Sequence, residues 1–195
     1  MSLLVRLSLL ILCAAVAGCS GGANRIDAIY TISALEQPPA TGATTAQILV
    51  PEPRALESLN TNKIAVKPTV LTLSYYPNVA LEDSATKVFQ KIMLDTFQNT
   101  GRVRAVGLPG QSLLINYQVV TEVRAFQVET FAGNRARVEI AVKLLNDSNG
   151  RVVSNRVFSA VVPLSSDAVE TAAEGMNAAT RQVSLEIVEW TLASI

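Results

Sequence analysis

Two thiols, Cys13 and Cys19, stand six residues apart in the run LLILCAAVAGCSGG and make up the chain's whole cysteine complement. Thiols so placed suit a redox pair, a metal site, or a segment that is removed on maturation. Histidine is absent from all 195 residues, which takes away the commonest general base, proton shuttle and zinc ligand. A nucleophilic Ser or Thr would then need a lysine as its base. Lys63 and Lys67 flank a short apolar stretch, Lys87 and Lys91 follow helical spacing on a polar face, and Lys143 sits among strand residues. None is read as half of a Ser-Lys pair. Glu82 and Asp83 precede a helical pattern, where helix-end electrostatics account for negative charge. The turn DSNG (147–150) begins like a calcium loop but lacks the further ligands, and GLPG (107–110) is not followed by the Lys-Ser/Thr of a phosphate loop. No catalysis and no metal site are expected.

Composition narrows the partners. With 16 basic and 16 acidic residues the chain has no electrostatic footprint for nucleic acid. At 49% hydrophobic, it can bury one sizeable core.

The cysteines acquire meaning from their flanks. Arg6 is followed by an apolar run, Leu7 to Val16, and then by small residues, which is the tripartite form of an export signal. The run is about half the roughly 20 residues a spanning helix needs. VAGC at 16–19 resembles the bacterial lipobox, in which the precursor is lipidated on Cys and cut just before it. The resemblance implies cleavage between Gly18 and Cys19, with diacylglycerol on the Cys19 thiol and an acyl group, such as palmitate, on the new amino terminus. Several chains give stable anchoring where one gives only marginal binding. A plain signal that leaves Cys19 as a free thiol is the alternative. Ser20 is not the Asp that retains lipoproteins at the inner membrane in enteric-type sorting, so the outer membrane is expected, with the domain facing the periplasm. Cys13 would be discarded. The expected organisation is a signal peptide (1–18), a lipidated start and tether (19–27), and one domain (28–195), with no cofactor beyond the covalent lipid.

Within that domain the hydrophobic pattern changes period. AIYTISAL (28–35), QILV (47–50), KIAV (63–66) and VLTLSYY (70–76) read as strands, broken by Pro-rich or polar loops. From Asp83 to Asn99, Ala85, Val88, Phe89, Ile92, Met93 and Phe97 recur at helical spacing, with Gly101 as the cap. Alternation then resumes: residues 113–125 place apolar side chains on one face, and the parity moves near Phe126 and Val128, which predicts a bulge. AGN (132–134) and NDSNG (146–150) are turns that separate strands at 135–145 and 151–163, completing a meander. A terminal helix opens at Ser166 or Asp167, with Glu170 in capping-box position, and carries the stripe Ala172, Met176, Ala179, Val183, Ile187 and Trp190. These patterns predict an α+β fold, a largely antiparallel sheet with two main helices on one face. Adjacent in a strand, Tyr75 and Tyr76 point to opposite faces, which would suit one to the core and the other to recognition, but strand-end packing is the preferred reading.

The succession YTIS, ESLNTNKIAVKP, LTLSYYPNVALEDSATKVFQKIMLDTFQNTGRV, VEIAVKLLNDSNGRVVSNRVFSAVVP and EIVEWTLASI resembles the ABC-type transport auxiliary lipoproteins. Family members usually carry a Trp shortly after the Tyr pair, where this chain has Leu81-Glu82-Asp83. The resemblance implies a non-catalytic accessory of an MCE-type lipid transport system, with an MCE-domain protein and an ABC transporter complex as partners. It would dock the MCE assembly to the outer membrane, and the edge from Lys63 to Tyr76 would add to a partner by strand pairing. A lipid carrier with a pocket between helices and sheet, and an assembly factor for an outer-membrane machine, are the alternatives. Homo-oligomerisation is left open.

Overall fold

The computed structural model describes residues 25–195. Cys13, Gly18, Cys19 and the first part of the tether lie outside the described residues.

Strands β8 (Tyr117–Glu129), β9 (Arg135–Asn146) and β10 (Val152–Pro163) form the expected antiparallel meander. The register shift falls between Val123 and Ala125, so Arg124 is the extra residue. Val119 and Val123 face the core before it, and Phe126 and Val128 after it. Ala125, read from the sequence with Val123, instead pairs with Glu139 on the outer face, because the bulge comes earlier than the apolar pattern shows.

The other long edge of β8 is covered by short strands in succession. β2 (Gln47–Leu49), β3 (Arg54–Ala55) and β4 (Ala65–Lys67) each pair with it in parallel, at Tyr117, Glu122 and Gln127 onward. The sheet is therefore mixed, though mostly antiparallel. β7 (Ala105–Gly107) lies beyond β2, and β5 (Ser74–Tyr75) pairs with β4. β1 (Ala28–Tyr30) and β6 (Val79–Leu81) make a separate parallel pair. The expected strand at 70–76 is mostly a turn: Thr69 Oγ1 accepts from the N–H of Leu71 and Thr72, which bends the chain before β5.

Helix α1 (Ala85–Thr100) buries the predicted stripe, and Gly101, at φ 62°, closes it with its N–H on the Gln98 carbonyl. Helix α2 (Val169–Ser194) lies across β9 and β10, with α1 beside it. Its opening differs from the expected capping box. The N-cap is Ala168, with no side-chain cap. Two of the side chains that would cap it are engaged otherwise: Ser166 Oγ accepts from the Ala168 N–H and the Glu170 carboxylate from Tyr30, while the Asp167 backbone carbonyl accepts from Tyr76. Phe158 of β10 meets Trp190 of α2 edge to face, with ring centroids 5.6 Å apart. Gly175 permits the close approach of α2 to β9, since a Cβ there would lie 3.2 Å from that of Ala136 and 2.2 Å from Leu164 Cδ2.

Candidate functional site

The tyrosine pair sits where β5 leaves β4, and both rings are half-buried. Each hydroxyl is used within the chain: Tyr75 donates to the Ser58 carbonyl and Tyr76 to the Asp167 carbonyl, both at 3.0 Å. Lys63 Nζ stands 5.5 Å from the Tyr75 ring centroid. Burial, with the nearby Asp167 carboxylate, raises the Tyr76 pKa. An open pocket of about 310 Å³ adjoins the pair, lined by Arg25, Asn62, Lys63, Ser74 and Asn78 among others. The pair is thus a latch between the β4–β5 hairpin and the rest of the domain, and its rings keep only part of their surface for a partner.

The carboxylates and lysines near α1 do not converge on a reactive centre. Asp83 Oδ1 accepts from the Ser84 N–H and lies 3.6 Å from Lys87 Nζ, while Lys91 pairs with Asp95. Ser84 and Lys87 have the Ser-x-x-Lys spacing, which the sequence reading passed over. In the structure Ser84 Oγ is 3.2 Å from Thr86 Oγ1, and the Lys87 ammonium faces Asp83. These groups line one side of an open groove of about 1000 Å³, with Thr31 to Glu36 on the other side. Arg181 crosses between them, its Nε donating to the Ser33 carbonyl at 2.7 Å. The groove has room for a ligand, and of its charges Asp83 pairs with Lys87 and Lys91 with Asp95 along the helix. Among the described residues no three His, Cys, Asp or Glu are grouped to hold a metal.

Between sheet and helices a second cavity is enclosed by Tyr30, Ile32, Ile64, Leu81, Phe126 and Met176. Its volume of about 10 Å³ is close to that of one water and far below the roughly 300 Å³ at which ligand pockets begin.

The largest unpaired backbone surface lies elsewhere. β10 ends the sheet and, among the described residues, pairs only with β9. Its core-facing Phe158 and Ala160 are buried, while Val153, Val157 and Val161 stand exposed with Asn155 and Ser159 between them. A long edge with an apolar row invites another strand. The alternation in RVVSNRVFSAVVP carried that signal, but nothing in the pattern says which strand is last.

Beside this row the outer face carries a charge ladder. Glu129, only 3% exposed at its side chain, is held by Arg135 through two contacts of 2.7 Å, and Arg137 binds Glu139 at 2.7 Å. The hydrogen bond to Glu139 is the main cause of a raised Arg137 pKa. The Glu129–Arg135 pair joins β8 to β9 and the Arg137–Glu139 pair lies within β9, while Arg137 Nε is buried with no hydrogen-bond partner.

The model of the ABC-type transport auxiliary lipoprotein component family matches residues 30–188. The chain belongs to this family. Protein XCC0632 from Xanthomonas campestris, assigned to the domain family DUF330, is similar in structure at a TM-score of 0.80 and 29% identity, over 85% of this chain and 95% of that one. A Bradyrhizobium diazoefficiens protein, bll6063, is 26% identical over 159 residues, covering 80% of this chain. The alignment spans 42% of that relative's length. A PelC dodecamer from Paraburkholderia phytofirmans shares the fold at a TM-score of 0.51 and 12% identity, over 77% of this chain and 92% of that one. The family is described as an auxiliary lipoprotein component of ABC-type transport.

Proposed function

We propose that this auxiliary lipoprotein docks the MCE-domain protein of an ABC-type lipid transport system and ties it to the outer membrane through lipid on Cys19. Membership over residues 30–188 carries the reading. The VAGC motif supports the anchor, and tethering raises the effective concentration of the domain near its partner. Among the sheet's edge strands β5, β7 and β10, β10 is the strongest for docking. It offers 12 residues of strand, whereas β5 beside Tyr75 and Tyr76 offers two.

A photo-crosslinker at Val157 in the native envelope is expected to capture an MCE or ABC subunit, and one at Tyr75 to capture less. Recovery of no transporter subunit from either position would sink the proposal. Cys19→Ser should release the protein from membranes, and Cys13→Ser should leave it anchored.

One other use of the edge has a specific observation behind it. The Paraburkholderia protein of like fold is a dodecamer, and the exposed β10 row could join copies of this chain into a homo-oligomer. Light scattering on the detergent-solubilised lipoprotein, before and after Val157→Lys, tests that use: a mass unchanged from the monomer in both rejects it. The carrier alternative lacks room in the enclosed cavity of about 10 Å³. Native mass spectrometry that found lipid retained by the domain of the Cys19→Ser protein would revive it.

A further inference from the structure

Hydrogen bonds gather several separate stretches at one end of the domain. The Thr130 N–H donates to the Lys67 carbonyl at 3.0 Å, which sets the β4–β5 turn beside the β8–β9 turn. The Leu164 N–H donates to the Asn134 carbonyl at 2.8 Å, which brings in the approach to α2. Tyr76 on Asp167 and Tyr30 on Glu170 add β5 and β1 to the same end. The Asp27 N–H, on the Asn78 carbonyl at 2.7 Å, sets the start of the described chain beside the loop that follows β5.

This end presents apolar side chains to solvent. Leu71 is 96% exposed and Val70 63%, at the tip of the β4–β5 turn, with Ile29 at 62%, Ile26 at 49% and Phe131 at 36%. Thr69 holds the tip in a defined turn, its Oγ1 accepting from Leu71 and Thr72 N–H groups at 3.3 and 3.1 Å. Arg135 stands 5.6 Å from the Phe131 ring centroid, and Lys67 lies at the base of the turn.

The length of chain before this end says what covers it. Arg25 follows Cys19 by six residues, and six residues reach at most about 20 Å when fully extended. A domain of this size has a radius of gyration of about 15 Å. A lipid on Cys19 therefore confines this end to the neighbourhood of the bilayer, while the far end, with Leu114 and the start of β8, can stand a domain's breadth away. Apolar side chains at the headgroup boundary are stabilised by burial, and neighbouring Arg and Lys extend their charges toward the headgroups.

We infer that the domain seats on the phospholipid surface through this end, with Val70 and Leu71 inserted, so that its orientation is set and not left to a loose tether. The inference rests on the reading of Cys19 as the acylated residue. A consequence follows for docking. β10 runs from the far end toward Pro163 at the seated end, so its free edge stands upright on the membrane and faces sideways, open to a partner.

The test uses the full acylated lipoprotein in vesicles of phosphatidylethanolamine and phosphatidylglycerol. With the Cys19 thiol taken by lipid and Cys13 removed, single reporter cysteines can be placed by Leu71→Cys and, as reference, Leu114→Cys at a site 84% exposed. A fluorophore at 71 is expected to be at least about threefold less accessible to aqueous iodide than one at 114, and to be quenched by nitroxide-bearing lipids. Equal iodide access at both positions, in protein that still floats with the vesicles, overturns the seating and spares the acylation reading. Protein that does not float overturns both. Protection at 71 that is already present in the unlipidated Cys19→Ser protein, in buffer without vesicles or detergent, assigns the tip to a second copy and overturns the seating. Val70→Asp combined with Leu71→Asp should keep flotation but abolish protection of a reporter introduced by Ile26→Cys; protection that survives this change also overturns the seating.

Discussion

The two sides of β8 are built on different principles. On one side β9 and β10 continue a meander of long strands, with 12 residues each, joined by short turns and covered by α2. On the other side strands of two or three residues arrive from distant parts of residues 28–81, most of them parallel to β8. The first side is stabilised by alternating aliphatic side chains and continuous backbone ladders. The second has little ladder of its own and is secured by side chains that reach across to backbone carbonyls: Gln90 to Val50, Asn99 to Leu35, Arg181 to Ser33, Tyr75 to Ser58 and Tyr76 to Asp167. Local alternation yields a rigid scaffold, and long-range polar latches hold the part that carries the start of the described chain and the exposed turn. Amide exchange should therefore reach near-global protection in β9 and open at lower free energy in β1 to β6.

Substitutions on the two sides should separate in size. Phe158→Ala removes a fully packed ring between β10 and Trp190 and is expected to cost about 3–5 kcal/mol in urea unfolding. A loss under about 1 kcal/mol would mean that the meander is not the scaffold. Gly175→Val is the next largest, about 1–3 kcal/mol, because the new side chain must displace Leu164 and crowd Ala136. Tyr76→Phe, on the latched side, keeps the ring and loses one hydrogen bond, for about 0.5–1.5 kcal/mol.

The same tyrosine links stability to alkaline pH. Its folded pKa lies above the ordinary value near 10, so the folded state holds its proton more tightly than the unfolded chain. The contribution is complete below about pH 10 and is lost as pH rises from there through the folded pKa. Tyr76→Phe should flatten that decline in a pH series of unfolding curves; an unchanged slope would exclude Tyr76 as its source. Leu71→Ser is the smallest change, within about 0.5 kcal/mol of wild type, since its side chain is exposed. It should nonetheless weaken contact with the bilayer, which separates a surface role from a stability role.

Much of the scaffold was legible in the sequence. The meander, both helical stripes and the Gly101 cap follow from period and turn chemistry that act within a few residues. The shift of parity around Phe126 announced the bulge, though Arg124 carries it. The latched side was legible only in pieces. QILV and KIAV read as strands, but their common parallel partner did not show, and the stretch before Tyr75 read as strand because Val and Leu favour one, whereas Thr69 turns it. The opening of α2 was misassigned for a related reason. Ser166, Asp167 and Glu170 have the residue types of a cap, but the Ser166 hydroxyl bonds locally to Ala168 and Thr171, and the Glu170 carboxylate is taken by the distant Tyr30. Of the candidate site, Tyr75 and Tyr76 were expected as one core and one exposed ring, whereas both are half-buried and their hydroxyls serve the fold.

By itself the sequence determined the succession of the long elements, the family to which it belongs, and the placing of the VAGC motif just ahead of the domain, because period, turn residues and short motifs are properties of neighbouring residues. Only the tertiary structure decided that β10 is the free edge, that Glu129 is buried under Arg135, and that Val70 and Leu71 share an end with the start of the domain. These depend on which distant segments meet, and no local pattern encodes the identity of a strand's partner.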